Sequence, residues 1–184
     1  MSSLKSLFAG IDKADATQER NKFIAPGRYV CQVIKCKAGT SQKGQDFFLS
    51  ELRVVKLLEE FVAENLTYRN MAGETLELPR GQYPDPSNKE GTSVTWYNGI
   101  QRGQMREASL GRIKGFIGAA VASKLGQSLE DVIPQITGEM AAEACEGEGT
   151  QLEGAMLEVV ADYRPTRAGK AFAVCTFTPW EDSE

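Results

Sequence analysis

The residues best suited to chemistry in this chain are aromatic and basic side chains that alternate along short apolar segments. Aromatic rings stack on the bases of single-stranded nucleic acids, and lysine and arginine neutralise their phosphates. Taken one at a time, such a ring more often belongs to a core and such a cation to a solvated surface. The candidate rings are Tyr29, Phe47, Trp96 and Tyr97, and the candidate cations are Lys35, Lys37, Lys43, Arg53, Arg164, Arg167 and Lys170.

The residues on which most hydrolytic sites depend are missing. There is no histidine among the 184 residues, so no imidazole can act as a base or metal ligand. The four cysteines form no Cys-x-x-Cys pair, and the glycines of 111–118 fall inside a helical pattern instead of a phosphate-binding loop. The acidic residues of 139–153 form no two-metal motif. We predict a protein without catalytic activity, metal or cofactor, and a nuclease is the weakest alternative.

Charge is distributed unevenly along the chain. The formal net charge is −4 and the sequence pI is about 5.1, which gives no support to a protein that coats duplex DNA. Residues 27–58 contain six basic and two acidic side chains, and residues 91–129 contain five basic and one acidic. Residues 130–153 contain seven acidic side chains and no basic one. The asymmetry slightly favours an anionic ligand at the first two segments over an ordinary solvated surface.

The cysteines and the apolar runs bear on the compartment. Cys31, Cys36, Cys145 and Cys175 occupy apolar positions, which indicates buried thiols in a reducing cytosol. Cys31 and Cys36 are five positions apart on a predicted strand and are expected on opposite faces. No apolar run reaches the roughly 20 residues of a membrane span, and residues 1–8 lack the apolar core of a signal peptide. We expect a cytoplasmic protein without a membrane partner.

Hydrophobic periodicity predicts the elements that position these residues. Alternation predicts strands over 27–37, 46–58, 92–100, 154–163 and 170–179. Helical spacing predicts one main helix over 105–125, ended by Gly126, whose buried stripe includes Leu110, Ile117 and Leu125. Close packing against a sheet is the expected reason for Gly111, Gly115 and Gly118 in this helix. Ser128 is the expected N-cap of a short second helix.

The order of these elements predicts the fold. Five strands, with the helices between the third and the fourth, are typical of a partly open Greek-key barrel of the OB type. We therefore predict a mainly β, antiparallel, OB-fold-like β-barrel, with a helix-capped antiparallel sandwich as the alternative. Residues 1–26 are expected to form an N-terminal arm, 27–179 a single barrel domain with an irregular excursion at 59–91, and 180–184 a short acidic tail.

The first hairpin supports a resemblance to a known family. The segment PGRYVCQVIKCKAGTSQKGQDFFLSELRVV, residues 26–55, resembles the opening hairpin of small bacteriophage-encoded single-stranded-DNA-binding proteins. The last hairpin, GAMLEVVADYRPTRAGKAFAVCTFTPW, falls where that family would place it, so the resemblance spans most of 26–180. The excursion at 59–91 departs from it. The resemblance implies a protein that coats single-stranded DNA in phage replication, recombination or repair in the host cytoplasm. A homo-oligomer is one expected assembly.

The last residues carry a further expectation. Trp180, Glu181, Asp182 and Glu184 are similar to the acidic tails through which single-strand binders recruit replication and recombination proteins. A frayed acidic end that aids solubility is the alternative. For the whole chain, the alternative function is a non-catalytic β-barrel module for protein interaction or assembly.

Overall fold

The computed structural model describes residues 22–181, and the fold is mainly β. Most of the expected N-terminal arm and residues 182–184 lie outside the described residues. The strands are β1 (Lys22–Phe23), β2 (Gly27–Thr40), β3 (Asp46–Glu60), β4 (Thr67–Arg69), β5 (Thr75–Glu77), β6 (Ser93–Gly99), β7 (Met156–Pro165) and β8 (Ala171–Pro179). The helices are α1 (Met105–Leu125), α2 (Leu129–Val132) and α3 (Gly138–Glu143). The main helix is confirmed, whereas α3 was not predicted, because its sequence was interpreted only as an acidic segment.

Six strands form one sheet in the order β1-β6-β3-β2-β7-β8, and β4 pairs with β5 in a separate hairpin. All neighbours in the large sheet are antiparallel except β1 and β6. No ladder joins β6 to β8 in the described part of the chain, so the predicted barrel closure is not found. Strand β7 pairs only with residues 27–32 of β2, so the β7–β8 turn lies at the opposite end of the sheet from the β2–β3 turn.

Irregular pairing on β2 corrects one expectation about its two faces. The register against β3 shifts between Val33 and Lys35, which inserts one residue and reverses the alternation beyond it. Cys31 and Cys36 are therefore both buried on the inner face, not on opposite faces as strict alternation predicts. The sequence offers no glycine or proline at this point that would have indicated the bulge.

Helix α1 covers the inner face of the sheet and completes the core. Phe116 is fully buried, with its ring centroid 5.2 Å from that of Trp96 and 5.0 Å from that of Phe177. The buried stripe runs through Ile113, Phe116 and Ile117, whereas Leu110 and Leu125 are exposed, contrary to the predicted stripe. None of the helices within residues 22–181 combines the length and the apolar character that crossing a bilayer requires.

The glycines of α1 have different surroundings. A Cβ on Gly118 would lie 2.9 Å from Cγ1 of Ile133, so close packing explains this glycine, although against the segment after α2 and not against the sheet. Gly111 and Gly115 have no such neighbour within 4 Å among the described residues. At the end of the helix Gly126 adopts a left-handed conformation, φ 63°, as its predicted C-terminal role requires. Ser128 caps α2 by accepting a hydrogen bond from the amide of Asp131.

Hydrogen bonds join the excursion between β3 and β6 to the start of β2. The Ala25 amide donates to Oδ1 of Asn88 at 2.8 Å, and the Asn88 amide donates to the Tyr29 hydroxyl at 3.1 Å. At its other end, the β4–β5 hairpin contacts the β7–β8 turn, where a Cβ on Gly169 would lie 3.1 Å from Cζ of Tyr68. These contacts hold the excursion against the end of the sheet where the β7–β8 turn lies, opposite the end with the β2–β3 turn.

Candidate nucleic-acid interface

A pair of stacked rings, the half-buried Phe47 and the exposed Tyr97, lies on the outer face of β3 and β6. Their centroids are 5.6 Å apart and their planes differ by 27°. Phe47 is directly opposite a glycine on each side, Gly39 on β2 and Gly99 on β6, so neither opposing residue has a side chain that could cover its ring. A Cβ on Gly39 would lie 3.3 Å from Cζ of Phe47. Tyr97 is 41% exposed, so the pair offers a flat aromatic surface to a ligand.

Basic side chains lie on the same face of the sheet as this pair, Lys37 near it and Arg53 further along β3. Lys37 lies opposite Leu49, and Arg53 lies between Gln32 and Ser93 on the neighbouring strands. Within residues 22–181 no carboxylate forms an ion pair with Lys37, Lys43 or Arg53. Lys35 differs from these, because its Nζ lies 3.4 Å from Oε1 of Glu51. Three of the four predicted cations of the first hairpin therefore keep their charge available for an anionic ligand.

The β2–β3 turn is held beside the end of β6 by an arginine that sequence reasoning did not select. Nη2 of Arg102 donates to the carbonyl oxygen of Gly44 at 2.9 Å. The Ile100 amide donates to the carbonyl oxygen of Asp46 at 2.8 Å, so the chain after β6 runs alongside this turn. Arg102 thereby adds a second cation close to Lys43. The sequence did contain a signal for Arg102, because this residue follows the predicted strand 92–100 directly and belongs to a positively charged segment.

Two of the predicted stacking rings are core residues. Tyr29 is completely buried, and its hydroxyl oxygen lies 3.0 Å from the carbonyl oxygens of both Ala25 and Pro26. Burial also raises the pKa of Tyr29. Trp96 is 7% exposed and packs on Phe116. Neither ring lies on the outer face, so both are removed from the candidate platforms there, although Trp96 is a wall of the two cavities described below. Tyr29 shares the inner face with Cys31 and Val33, and the extra residue between Val33 and Lys35 separates it from Lys35 and Lys37, with which strict alternation would have grouped it.

The basic residues of the last hairpin are exposed but do not join the first group. Arg164, Arg167 and Lys170 are exposed in or beside the β7–β8 turn, at the other end of the sheet from Lys43. The structure therefore places cations at both ends of the sheet and does not gather them at one point. Arg164 lies directly opposite Phe172 of β8, so it neighbours an exposed ring.

The start of the predicted tail lies against the sheet. The Trp180 amide donates to the carbonyl oxygen of Met156 at 2.9 Å, and the side chain is half-buried. Trp180 and Glu181 line a shallow cavity with Arg28, whose Nε lies 2.7 Å from Oε1 of Glu158. Asp182 and Glu184 lie outside the described residues. The docking role predicted for the tail stays a prediction.

A cleft separates the part of β6 that β1 leaves uncovered from the edge strand β8. It consists of cavities of about 430 and 210 Å³ that share Tyr97 and Phe172 as walls. Phe23 lines the larger cavity and Arg112 the smaller one. Phe23 is 69% and Phe172 is 49% exposed. Sequence reasoning missed these residues, because the hydrophobic pattern indicates neither the parallel pairing of β1 with β6 nor the approach of β8 to β6.

No family model and no curated protein matches this sequence. Within residues 22–181, no three side chains of the metal-binding types lie close enough together to hold an ion. The candidate interface thus consists of partly exposed rings, cations without an ion-pair partner among the described residues, and strand edges without a neighbouring strand there.

Proposed function

We propose that this protein binds single-stranded DNA on the outer face of β3 and β6, without catalysis and with little sequence preference. The observation that carries the proposal is the stacked pair of the half-buried Phe47 and the exposed Tyr97, with cations on the same face that form no ion pair within residues 22–181. Each base stacked on such a ring contributes about 1–3 kcal/mol, whatever its identity, because every base has a π-face. Lys37 and Arg53 on the strands and Lys43 and Arg102 at the turn would neutralise the phosphates.

The features of the site favour a single strand over a duplex. A stacking ring needs bases whose faces are free, and in a duplex these faces are covered by neighbouring base pairs. The net charge of −4 also disfavours a protein that relies on phosphate contacts alone. Following the resemblance of its first hairpin, we place the protein in phage replication, recombination or repair in the host cytoplasm.

We further propose that the large sheet is an OB-type barrel that stays open between β6 and β8. Two observations support this. The order β6-β3-β2-β7-β8, with the helices between β6 and β7, is the strand order of such a barrel cut at one edge. The rings of Trp96 on β6 and Phe177 on β8 lie 4.8 Å apart, so the two edges share one core. In OB folds the second and third strands carry the nucleic-acid face, and here these are β3 and β6.

Fluorescence anisotropy of labelled oligo-dT tests the proposal. We expect saturable binding that weakens roughly 50-fold between 50 and 200 mM salt if four phosphates are neutralised. Tyr97→Ala is expected to weaken binding by about 1–3 kcal/mol, whereas Tyr97→Phe, which keeps the ring, binds nearly as wild type. An absence of saturable binding, or binding that is indifferent to salt, contradicts the proposal.

One observation favours the alternative of a protein-docking module. A cavity of about 700 Å³ lies between α1 and α3, with Leu110, Ile136 and Ala141 among its walls. Leu110 is a large apolar side chain that is exposed there. Leu110→Glu separates the two functions, because Leu110 lines this cavity and is not a member of the Phe47–Tyr97 pair. If the protein is a DNA binder, the Leu110→Glu variant keeps the wild-type affinity for oligo-dT. If the variant loses this affinity, the result favours a function centred on the helices.

A further inference from the structure

We infer that the cleft between β6 and β8 holds one unstacked nucleobase of the bound strand. This inference rests on the proposed function and assigns a second base-binding site next to the outer face. The cleft residues that carry it, Phe172 and Arg112, take no part in the Phe47–Tyr97 pair, so the two ideas can be tested separately.

The position of the cleft follows directly from the stacking face. Tyr97 belongs to both, because its ring packs on Phe47 and also lines both cavities of the cleft. A strand stacked on this pair therefore brings its next base to the mouth of the cleft. The larger cavity, about 430 Å³, lies within the range of small-molecule sites. Its walls include Phe23 and Phe172, two exposed rings that can contact the faces of a base.

Unpaired backbone at the strand edges supplies groups that suit the edge of a base. Strand β1 covers β6 only at Val94 and Thr95, where the Ile24 amide donates to the carbonyl oxygen of Thr95 at 3.2 Å. In the described part of the chain, no strand pairs beyond Thr95 with the edge of β6 that faces away from β3, and none pairs with the outer edge of β8. Edge strands present N–H and C=O groups in alternation, and base edges carry both acceptors and donors.

Opposite charges at the two ends of the cleft give the nucleotide a direction. Arg112 lines the smaller cavity and is exposed, so its guanidinium can pair with a phosphate. Asp85 lines the larger cavity, where its carboxylate would repel a phosphate but accept a hydrogen bond from a base N–H. We therefore place the phosphate beside Arg112 and the base toward Asp85. The charges and the exposed rings favour a nucleotide over an extended peptide, which the open strand edges alone would also fit.

Two variants and one cross-link test the inference on the full chain. Phe172→Ala is expected to weaken oligo-dT binding about 5- to 150-fold, the range for the loss of one stacked base. Arg112→Gln is expected to reduce the slope of log affinity against log salt by about 0.7, one phosphate contact. Leu76→Ala is the control, since Leu76 is similarly exposed but lies on β5. Irradiation of an oligo-dT that carries one 5-iodouracil is expected to give adducts on Phe172 or Phe23 as well as on Tyr97.

The outcomes separate the two ideas. If the wild-type protein binds oligo-dT, but Phe172→Ala and Arg112→Gln bind like wild type and the adducts are confined to Phe47 and Tyr97, the cleft holds no base and the inference is overturned. The proposed function then stands. If the wild-type protein does not bind oligo-dT, both fall. Urea unfolding of each variant shows whether a loss of binding reflects a loss of folding.

Discussion

Two pairs of adjacent aromatic residues, Phe47–Phe48 on β3 and Trp96–Tyr97 on β6, send one ring to each side of the same two strands. The inward rings, Phe48 and Trp96, lie 5.9 Å apart with planes inclined at 63° and are covered by α1. The outward rings, Phe47 and Tyr97, lie 5.6 Å apart with planes inclined at 27°, and they are less covered, since Phe47 is half-buried and Tyr97 is exposed. Similar residues at similar separations thus have different surroundings, because successive side chains on a strand alternate between faces.

The geometry of each pair matches its surroundings. The inward rings meet edge to face, an arrangement that fills a core from several directions, and Phe116 and Phe177 extend it. The outward rings are closer to parallel, an arrangement that a further ring can extend by stacking on the exposed Tyr97. The core pair therefore stabilises the fold, and the outer pair is available to a ligand.

The largest expected effect separates the two neighbours on β3. Phe48→Ala is expected to lower the free energy of unfolding by about 3–5 kcal/mol, because Phe48 is 2% exposed and its removal leaves a cavity. Phe47→Ala is expected to lower it by less than about 1 kcal/mol, since that ring is partly exposed. Urea unfolding measures both. Equal losses in the two variants would show that the outer pair is also a stability element.

A second prediction sharpens the role of the outer pair without removing a ring. Gly39→Val places a branched side chain where a Cβ alone would lie 3.3 Å from Phe47, so it displaces that ring from Tyr97. We expect oligo-dT binding to weaken by about 1–3 kcal/mol, the contribution of one base stack, with little change in stability. Gly39→Ala, which intrudes less, is the graded control. Wild-type affinity in both variants would show that the ring position does not matter for binding.

How far the sequence predicts these two faces depends on the regularity of the strand. Alternation correctly separates Phe47 from Phe48 and Trp96 from Tyr97, because β3 and β6 pair without a register shift. The same rule fails for Tyr29 and Cys36, because β2 contains shifts that depend on its pairing with β3. Local periodicity carries no information on such shifts.

The cleft shows a different limit of sequence reasoning. Phe23, Tyr97 and Phe172 meet there although they are far apart in the chain, because the sheet curves until its edge strands share a core. The order of elements predicted strands and a main helix, but it did not indicate that β6 and β8 leave an opening. Nor did composition distinguish the two basic turns, which lie at opposite ends of the sheet.

A third prediction concerns the thiols on the inner face. Burial raises the pKa of Cys31, Cys36 and Cys175 from the usual 9.0 to about 12. Their protonated forms stabilise the folded state fully below pH 9, and this stability is lost as the pH rises from about 9 towards 12, because unfolded thiols ionise first. Each thiol can contribute about 1.4 kcal/mol per pH unit in that window. We expect a lower urea midpoint at pH 10 than at pH 8.

The control for the thiol prediction is Cys175→Ala. This variant starts from a lower stability, because it removes a packed side chain, but its urea midpoint is expected to fall less between pH 8 and pH 10. If the variant and the wild-type protein show the same pH dependence, Cys175 does not ionise differently in the two states and its burial has no electrostatic consequence.

The smallest expected effect compares two lysines on the outer face of β2. Lys37 has no carboxylate partner within residues 22–181, whereas Lys35 pairs with Glu51 at 3.4 Å. Lys37→Gln is expected to reduce the salt slope of oligo-dT binding by about 0.7, equivalent to about 2.5-fold in affinity between 50 and 200 mM salt. Lys35→Gln is expected to change it less, because Glu51 already neutralises part of that charge. Anisotropy titrations at four salt concentrations resolve the difference. A larger change of the salt slope for Lys35→Gln than for Lys37→Gln would mean that the bound DNA displaces Glu51 from Lys35. The DNA would then lie closer to β2 than stacking on the Phe47–Tyr97 pair alone requires.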